Sequence, residues 1–347
     1  MIKVGIIGAS GYTGEELVSL CLEHPGLQLE AVAARSLAGK ALGLALPRVR
    51  NLPGAMEILC VDATDPKTLT QTDVDCWFLA LPHGVASEFV QALLPTGKTI
   101  VDLSADFRLN DTASYEEYYG QPHPIPELLP EVPYVIPELA EAKSWMKAQL
   151  IACPGCYPTS IQIPLIPLLR QKVITGEGLT INSASGVSGA GKKLAQNYLF
   201  CERAGSMTPY GLVSHRHLPE IEQQLSSAAG KTLVIQFTPH LIPIRRGILT
   251  TIVCPAGDND SADIVLATWN QSYRDAPFID ILSPGLLPDT ARVAFSNRVE
   301  LAVDYDPRTH NFIITSSLDN LLKGVAGQAI QILNLKFGLP ETTGLPR

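Results

Sequence analysis

The sequence predicts a doubly wound α/β domain followed by an α+β domain with a mostly antiparallel sheet. Three observations predict it. A short apolar run, Lys3–Ile7, leads into a glycine-rich turn and a helical pattern through Glu23. Strand-like and helix-like runs then alternate, as in a parallel sheet with crossover helices. From about residue 156 strand-like runs dominate. The expected boundaries are 1–155 for the first domain, completed by 319–347, and 156–318 for the second. A chain of 347 residues, 46% apolar and 17% charged, is globular and long enough for both. The formal charge of −8, with no stripe of Lys or Arg, argues against a nucleic-acid binder. Seven scattered cysteines suggest no disulfide framework. No signal-peptide pattern precedes Lys3, and Ile161–Leu169 is broken by Gln162, Pro164 and Pro167. The expectation is a soluble cytoplasmic protein that does not enter a membrane and keeps its thiols reduced.

In chain order, Gly8-Ala-Ser10-Gly11-Tyr12-Thr13-Gly14 is a G-x-x-G-x-x-G variant of the dinucleotide fingerprint, making the first domain Rossmann-type. Glycines allow a tight turn and close backbone approach, and the helix N-terminus holds the pyrophosphate. The second strand, Leu29–Ala34, ends in Arg35-Ser36 with no carboxylate at its tip. An arginine and a hydroxyl there suit a 2′-phosphate, favouring NADP over NAD, against the reading of a solvated loop arginine. A buried strand Val74–Leu81 ends in Pro82-His83-Gly84 before a helix Val85–Leu94, and Lys98–Leu103 runs into Ser104-Ala-Asp-Phe-Arg108. His83 reads as a loop residue near the cofactor. Arg108 either binds an anion or pairs with Asp106 or Asp102. Residues 110–140, rich in Pro, Glu and Tyr, read as a long surface excursion.

In Ile151-Ala-Cys-Pro-Gly-Cys156-Tyr-Pro-Thr-Ser160 an apolar run ends in a Pro-Gly turn, and Cys156 opens a helix to about Leu169. A thiol at a helix N-terminus is favoured as thiolate, the form that attacks carbonyls. The plainer reading is a small buried hydrophobe. Strands are expected at Leu179–Ser185, Thr232–Thr238, Gly247–Cys254, Arg292–Asp304 and Asn311–Ser316, then a helix Asn320–Phe337 packing on the first domain and a partly extended tail. Gly186-Val-Ser-Gly189-Ala-Gly-Lys192-Lys193 nearly matches a phosphate-binding P-loop, but Lys193 replaces the Mg²⁺-ligating hydroxyl, so an NTPase site is rejected. Such a loop can still cradle an anion or a cofactor edge. Cys153-Pro-Gly-Cys156 lacks the second pair that zinc would need, so no metal is expected, and a redox dithiol is the runner-up chemistry. His215-Arg-His217-Leu-Pro-Glu220 offers an acid/base partner for the cysteine, and Arg245-Arg246 adds cations. Thiol, histidine, NADP and cations together fit reduction of a phosphorylated carboxylate.

These motifs, with Ala80-Leu-Pro-His-Gly84, Ala105-Asp-Phe-Arg108, Pro154-Gly-Cys-Tyr-Pro-Thr159, Ser185-Gly186 and Asp319-Asn320-Leu-Leu-Lys-Gly324, resemble nearly end to end the N-acetyl-γ-glutamyl-phosphate reductases. That family of arginine biosynthesis is related to aspartate-semialdehyde dehydrogenase. The resemblance implies that Cys156 forms a thioester, NADPH reduces it and His215 is the acid/base, with His217 and Glu220 in support. It implies Arg108, Lys192 and Arg245 as substrate contacts, Ser185, Gly186, Gly189 and Asn320 near the cofactor, and a second domain that is catalytic and builds a homodimer or homotetramer. Other acyl phosphates (aspartyl, or carrier-bound aminoadipyl) and a non-catalytic NADP-binding regulator are the alternatives. The choice between His215 and His217 stays open, and Cys153 has no role in the motif.

Overall fold

A computed structural model describes residues 1–259 and 261–347. It divides into two compact units, Met1–Pro154 with Val325–Pro346, and Gly155–Gly324. The return to the first unit thus falls at 325, later than the expected 319, because Asp319 and Asn320 bond within the second unit.

The first unit holds a six-stranded parallel sheet in the order β3-β2-β1-β4-β5-β6, as expected of a Rossmann-type domain. Its strands are β1 (Ile2–Ile7), β2 (Leu27–Ala33), β3 (Cys60–Val61), β4 (Cys76–Leu79), β5 (Thr99–Asp102) and β6 (Leu150–Ala152). β4, Cys-Trp-Phe-Leu, is buried throughout, as a central parallel strand covered on both faces must be. Its longer helices are α1 (Tyr12–Glu23), α2 (Ala86–Leu93), α3 (Thr112–Tyr119) and, from the C-terminal segment, Gly327–Lys336.

Residues 110–140 are not a surface excursion. Tyr115, Ile125, Leu129 and Val132 are buried, and the last three join Phe107, Phe89 and Trp77 in one apolar cluster. Prolines and tyrosines are loop chemistry in composition, but Asp111 caps α3 through the N–H groups of Ala113 and Ser114, and Tyr115 of that helix is buried. The tail is folded into turns rather than extended. Asn334 Nδ2 donates to the carbonyls of Glu341 and Thr343 at 3.1 and 2.8 Å, and its Oδ1 meets His24 Nε2 at 3.0 Å.

The second unit holds a seven-stranded sheet in the order β11-β12-β13-β10-β7-β9-β8. These are β7 (Thr180–Gly186), β8 (Thr208–Pro209), β9 (Gln236–Ile242), β10 (Ile248–Pro255), β11 (Ile279–Ile281), β12 (Val299–Asp306) and β13 (Asn311–Leu318). Four neighbouring pairs are antiparallel and two parallel. β9 begins at Gln236 rather than Thr232, because the N–H groups of Leu233 and Ile235 go to the side chains of Ser226 and Glu222. β12 begins at Val299 rather than Arg292, because Asp289 caps a helical turn over Thr290–Val293.

One face of this sheet carries α4 (Cys156–Arg170), with α5 (Leu218–Ala229) and α6 (Asp263–Ser272) packed against α4. Pro164 and Pro167 lie inside α4 and cannot donate to Ser160 O and Ile163 O. The hydroxyl of Ser316 donates to the first of these oxygens at 2.6 Å, and that of Tyr273 to the second. On the other face Ala184, Leu249, Thr251, Val253, Ile313 and Thr315 stay half-exposed, alternating with the buried set. No helix among the described residues is long and apolar enough to cross a membrane.

Candidate active site

In the first unit β1 hands over to α1 through the glycine turn. Gly11 is the N-cap in extended conformation, with no side chain capping the helix. A Cβ on Gly14 would lie 2.6 Å from Ala9 Cα, and Gly8 sits at φ +94°. Only glycine fits that first approach and readily takes that second conformation. A Cβ on Gly11 would meet nothing nearer than Gly8 O at 4.0 Å, so the helix end keeps an open lip. Gly8, Ser10, Gly11, Tyr12, Thr13 and Gly14 all lie on this turn, which fits a dinucleotide pyrophosphate. Arg35 and Ser36 are exposed just beyond β2, with Arg35 Nε 3.5 Å from Ala63 O.

The turn Pro82-His83-Gly84 after β4 is held by Asp106. This fully buried carboxylate accepts from Gly84 N at 2.6 Å, Ser87 N and Oγ at 3.2 Å, and Tyr115 Oη at 3.3 Å. His83 packs its ring 5.5 Å from that of Tyr119. Arg108 is buried and donates from Nε to Cys153 O at 2.9 Å and from Nη2 to Leu103 O at 2.8 Å. Asp102 accepts from Ser104 N and Oγ at 3.0 and 2.8 Å. Its burial, and then the neighbouring Asp106, push its carboxyl up to about 7.

In the second unit Cys156 is the first residue of α4, half-buried, with Gly155 as N-cap. The buried Glu220 of α5 accepts from Gly155 N at 2.8 Å through Oε1, fixing the turn that presents the thiol. A Cβ on Gly324 would lie 2.8 Å from that of Cys156. Around His215 the rings of Tyr157, Tyr210, His217 and Phe237 stand edge-on with centroids 5.0–5.5 Å away. His217 N donates to His215 Nδ1 at 3.1 Å. Tyr210 donates its hydroxyl to that of Tyr157 at 3.0 Å, and Tyr157 donates to His240 O at 3.3 Å. Burial, then the Arg216 charge, pulls the His215 ring down to about 4.

Ser185 and Gly186 end β7, and the chain makes a single tight turn at Val187–Ala190 rather than entering a long helix as a P-loop does. Asn320 Nδ2 donates to Ser188 Oγ at 2.9 Å, and its Oδ1 accepts from Gly247 N at 2.7 Å. A Cβ on Gly189 would lie 3.0 Å from Ser185 Oγ, so Ser185, Gly189 and Asn320 come together. The Arg245-Arg246 pair does not present two surface cations. Arg246 is buried, 2.9 Å from Asp319 and over the Phe295 ring, whereas Arg245 and Lys192 are exposed. Sequence reasoning missed Tyr210 and Phe237, which carry no motif of their own, and offered Asp106 only as a partner for Arg108, whereas it holds the turn at Gly84. It quoted Tyr157, Asp319 and Gly324 without assigning them a task.

Residues 3–145 match the family model described as semialdehyde dehydrogenase, NAD binding domain, and residues 156–320 that described as semialdehyde dehydrogenase, dimerisation domain. The chain is 44% identical to the N-acetyl-gamma-glutamyl-phosphate reductase of Akkermansia muciniphila, covering 99% of this chain and 98% of that one. It is 45% identical to the protein of that name from Citrifermentans bemidjiense, with the same coverage, and 42% identical to a probable chloroplastic one from Arabidopsis thaliana, of which 84% is covered. Among solved structures, aspartate semialdehyde dehydrogenase II from Vibrio cholerae, complexed with ASA, aligns with a TM-score of 0.74 at 16% identity over 97% of this chain and 98% of that one. Aspartate semialdehyde dehydrogenase with NADP from Candida albicans aligns at 0.68 and 17% identity over 96% and 98%. At such identities these two bear on the fold alone.

Proposed function

Because this chain belongs to the N-acetyl-γ-glutamyl-phosphate reductase family, we propose that it reduces N-acetyl-L-glutamyl 5-phosphate to the 5-semialdehyde in arginine biosynthesis, through a thioester on Cys156. The observation that carries the mechanism is the placement of Cys156 at the open end of α4, with Glu220 fixing Gly155 and Gly324 leaving room beside it. The helix end favours the thiolate. Cys156 attacks the acyl carbon and phosphate leaves. NADPH, when bound, supplies the hydride. Cys156 then departs as thiolate when the tetrahedral adduct collapses to the aldehyde. His215 serves the reacting carbonyl, and His217 and Glu220 position it and the turn. Lys192, Arg245 and Arg108 are the proposed cations for the substrate's phosphate and carboxylate.

The glycine turn would hold the cofactor's pyrophosphate and Arg35 with Ser36 its 2′-phosphate, with Pro82, His83, Ser185, Gly186, Gly189 and Asn320 along the remainder. A second copy of the chain would pack on the half-exposed sheet face, giving a homodimer or homotetramer in the reducing cytoplasm.

The test is the reverse reaction, NADP⁺ reduction with phosphate and N-acetyl-glutamate semialdehyde, with aspartate semialdehyde beside it. Phosphate-dependent turnover is expected with the acetylated substrate only, falling about 10³-fold or more in Cys156→Ser. Turnover with aspartate semialdehyde alone would move the substrate assignment, and an active serine variant would refute the thioester.

A further inference from the structure

We propose that Asp106 is a positioning residue for the cofactor: with the aromatic segment that follows it, its carboxylate sets the Pro82–Gly84 turn against which the nicotinamide half of NADPH lies. This deepens the cofactor reading above and rests on it. β1 and β4 are parallel neighbours, with Ile7 opposite Leu79, and the sheet is wound outward in opposite directions from this pair. In a doubly wound sheet the ligand crevice opens beyond the carboxyl ends of the strands at that point. The two turns there touch. Ala80 N donates to Ile7 O at 2.8 Å, and a Cβ on Gly8 would collide with Ala80 O. The glycine turn is therefore one wall of the crevice, and Pro82-His83-Gly84 is the other. Arg35 follows β2, on the opposite side of β1 from β4. A dinucleotide with its 2′-phosphate at Arg35 and its pyrophosphate at the glycine turn runs on toward the end of β4.

The second wall is held from outside. Its Gly84 sits at φ +77°, and α2, which it leads into, has Val85 as N-cap and no side-chain cap from that residue. Asp106, fully buried, reaches both from the loop after β5. One of its oxygens accepts from Gly84 N at 2.6 Å and Tyr115 Oη at 3.3 Å, the other from N and Oγ of Ser87, both at 3.2 Å. All four partners donate, so both oxygens must accept. Burial, then the Asp106 charge, push the Tyr115 phenol up, which keeps its proton in place for this bond.

The segment after Asp106 braces the same wall. Nδ1 of His123 accepts from Ile125 N at 3.2 Å, so Nε2 carries the proton and donates to the main-chain oxygen of Asp106 at 2.9 Å. The His123 ring stands edge-on to Tyr115 at 4.7 Å, and Tyr115 stacks on Tyr119 at 4.7 Å. Tyr119 in turn packs on His83 at 5.5 Å. The amide of Gln121 lies against Gly84, where a Cβ would collide with it. A carboxylate that only capped α2 would need no more than the Ser87 donors. The bond to Gly84 N and the ring contacts to His83 act on the wall itself.

The test is isothermal titration of the full-length protein with NADPH and with adenosine 2′,5′-bisphosphate, which carries the 2′-phosphate end of the cofactor and no nicotinamide. Asp106→Asn keeps one accepting oxygen and turns an NH2 group toward two donors. It should weaken NADPH about tenfold or more, while the bisphosphate stays within about twofold of wild type. Tyr115→Phe removes one hydroxyl and keeps the ring, so it should weaken NADPH alone by about two- to fivefold. That variant decides the matter should Asp106→Asn not fold, which thermal melts report. In the reverse reaction the KM for NADP⁺ should rise in both variants while that for phosphate holds. Equal weakening of the two molecules, or unchanged NADPH affinity, overturns the positioning role, since a loosened fold treats both ends of the cofactor alike. Failure of the wild type to bind either molecule would instead sink the cofactor reading, so the two failures are told apart.

Discussion

A methyl group at Gly324 would lie 2.8 Å from Cβ of Cys156 and 3.4 Å from its Cα, so an alanine there must displace the nucleophile's own residue or the turn that carries it. That turn has little freedom. Asp319 takes the N–H groups of Leu321 and Leu322 on its carboxylate at 2.8 and 3.0 Å and that of Gly324 on its main-chain oxygen at 2.9 Å. Arg246 holds the same carboxylate from the other side. Gly324→Ala should therefore cost about 1–3 kcal/mol of stability and lower kcat more than tenfold, with NADPH affinity unchanged. Thermal melts, turnover and a cofactor titration check this, and wild-type turnover would show that the contact does not fix the thiol. A glycine before an apolar helix looks unremarkable in one sequence. Its partner lies 168 positions away, and only folding reveals why a side chain is excluded.

Helix α4 shows what can and cannot be read at the level of an element. Its start at Cys156 was legible, since a Pro-Gly turn before an apolar run is a local signal. Its prolines remove two main-chain donors, and the helix survives because Ser316 and Tyr273 supply donors to the two oxygens the prolines leave. Those donors come from β13 and the end of α6, beyond any local window. Glu220 is similar. The motif marked it as support for the histidines, and its bond to Gly155 N ties α5 to the N-terminus of α4. Glu220→Ala should lower kcat and cost about 1.5–3 kcal/mol, the range for a hydrogen bond to a charged group. Glu220→Gln, whose amide oxygen can still accept, should recover most of both. If Gln fails as badly as Ala, the carboxylate's charge and not its geometry is what matters, and a positioning role is wrong. The misread segment 110–140 makes the same point in reverse. Its composition is that of a loop, and its burial comes from Tyr115 reaching Asp106 and from Leu129 and Val132 joining a core built elsewhere.

At the scale of the whole molecule, the first unit carries two fully buried carboxylates, Asp102 at the end of β5 and Asp106 in the loop after it, and Asp102 bears on how its stability answers pH. Asp106 is met by donors from Gly84, Ser87 and Tyr115, while Asp102 accepts from Ser104 and is pushed up to about 7 by burial and by its neighbour. A carboxyl with a folded-state pKa above its unfolded value, about 3.9, binds its proton more tightly in the fold. Its contribution is present in full below about pH 4 and is lost as pH rises toward about 7, at no more than about 1.4 kcal/mol per unit. Asp102→Asn keeps the Ser104 contacts without the charge and removes this slope. The variant should gain on wild type steadily between about pH 5 and pH 7.5, in denaturant midpoints of the cofactor-binding unit taken at each pH. Parallel curves would mean that Asp102 stays ionised in the fold.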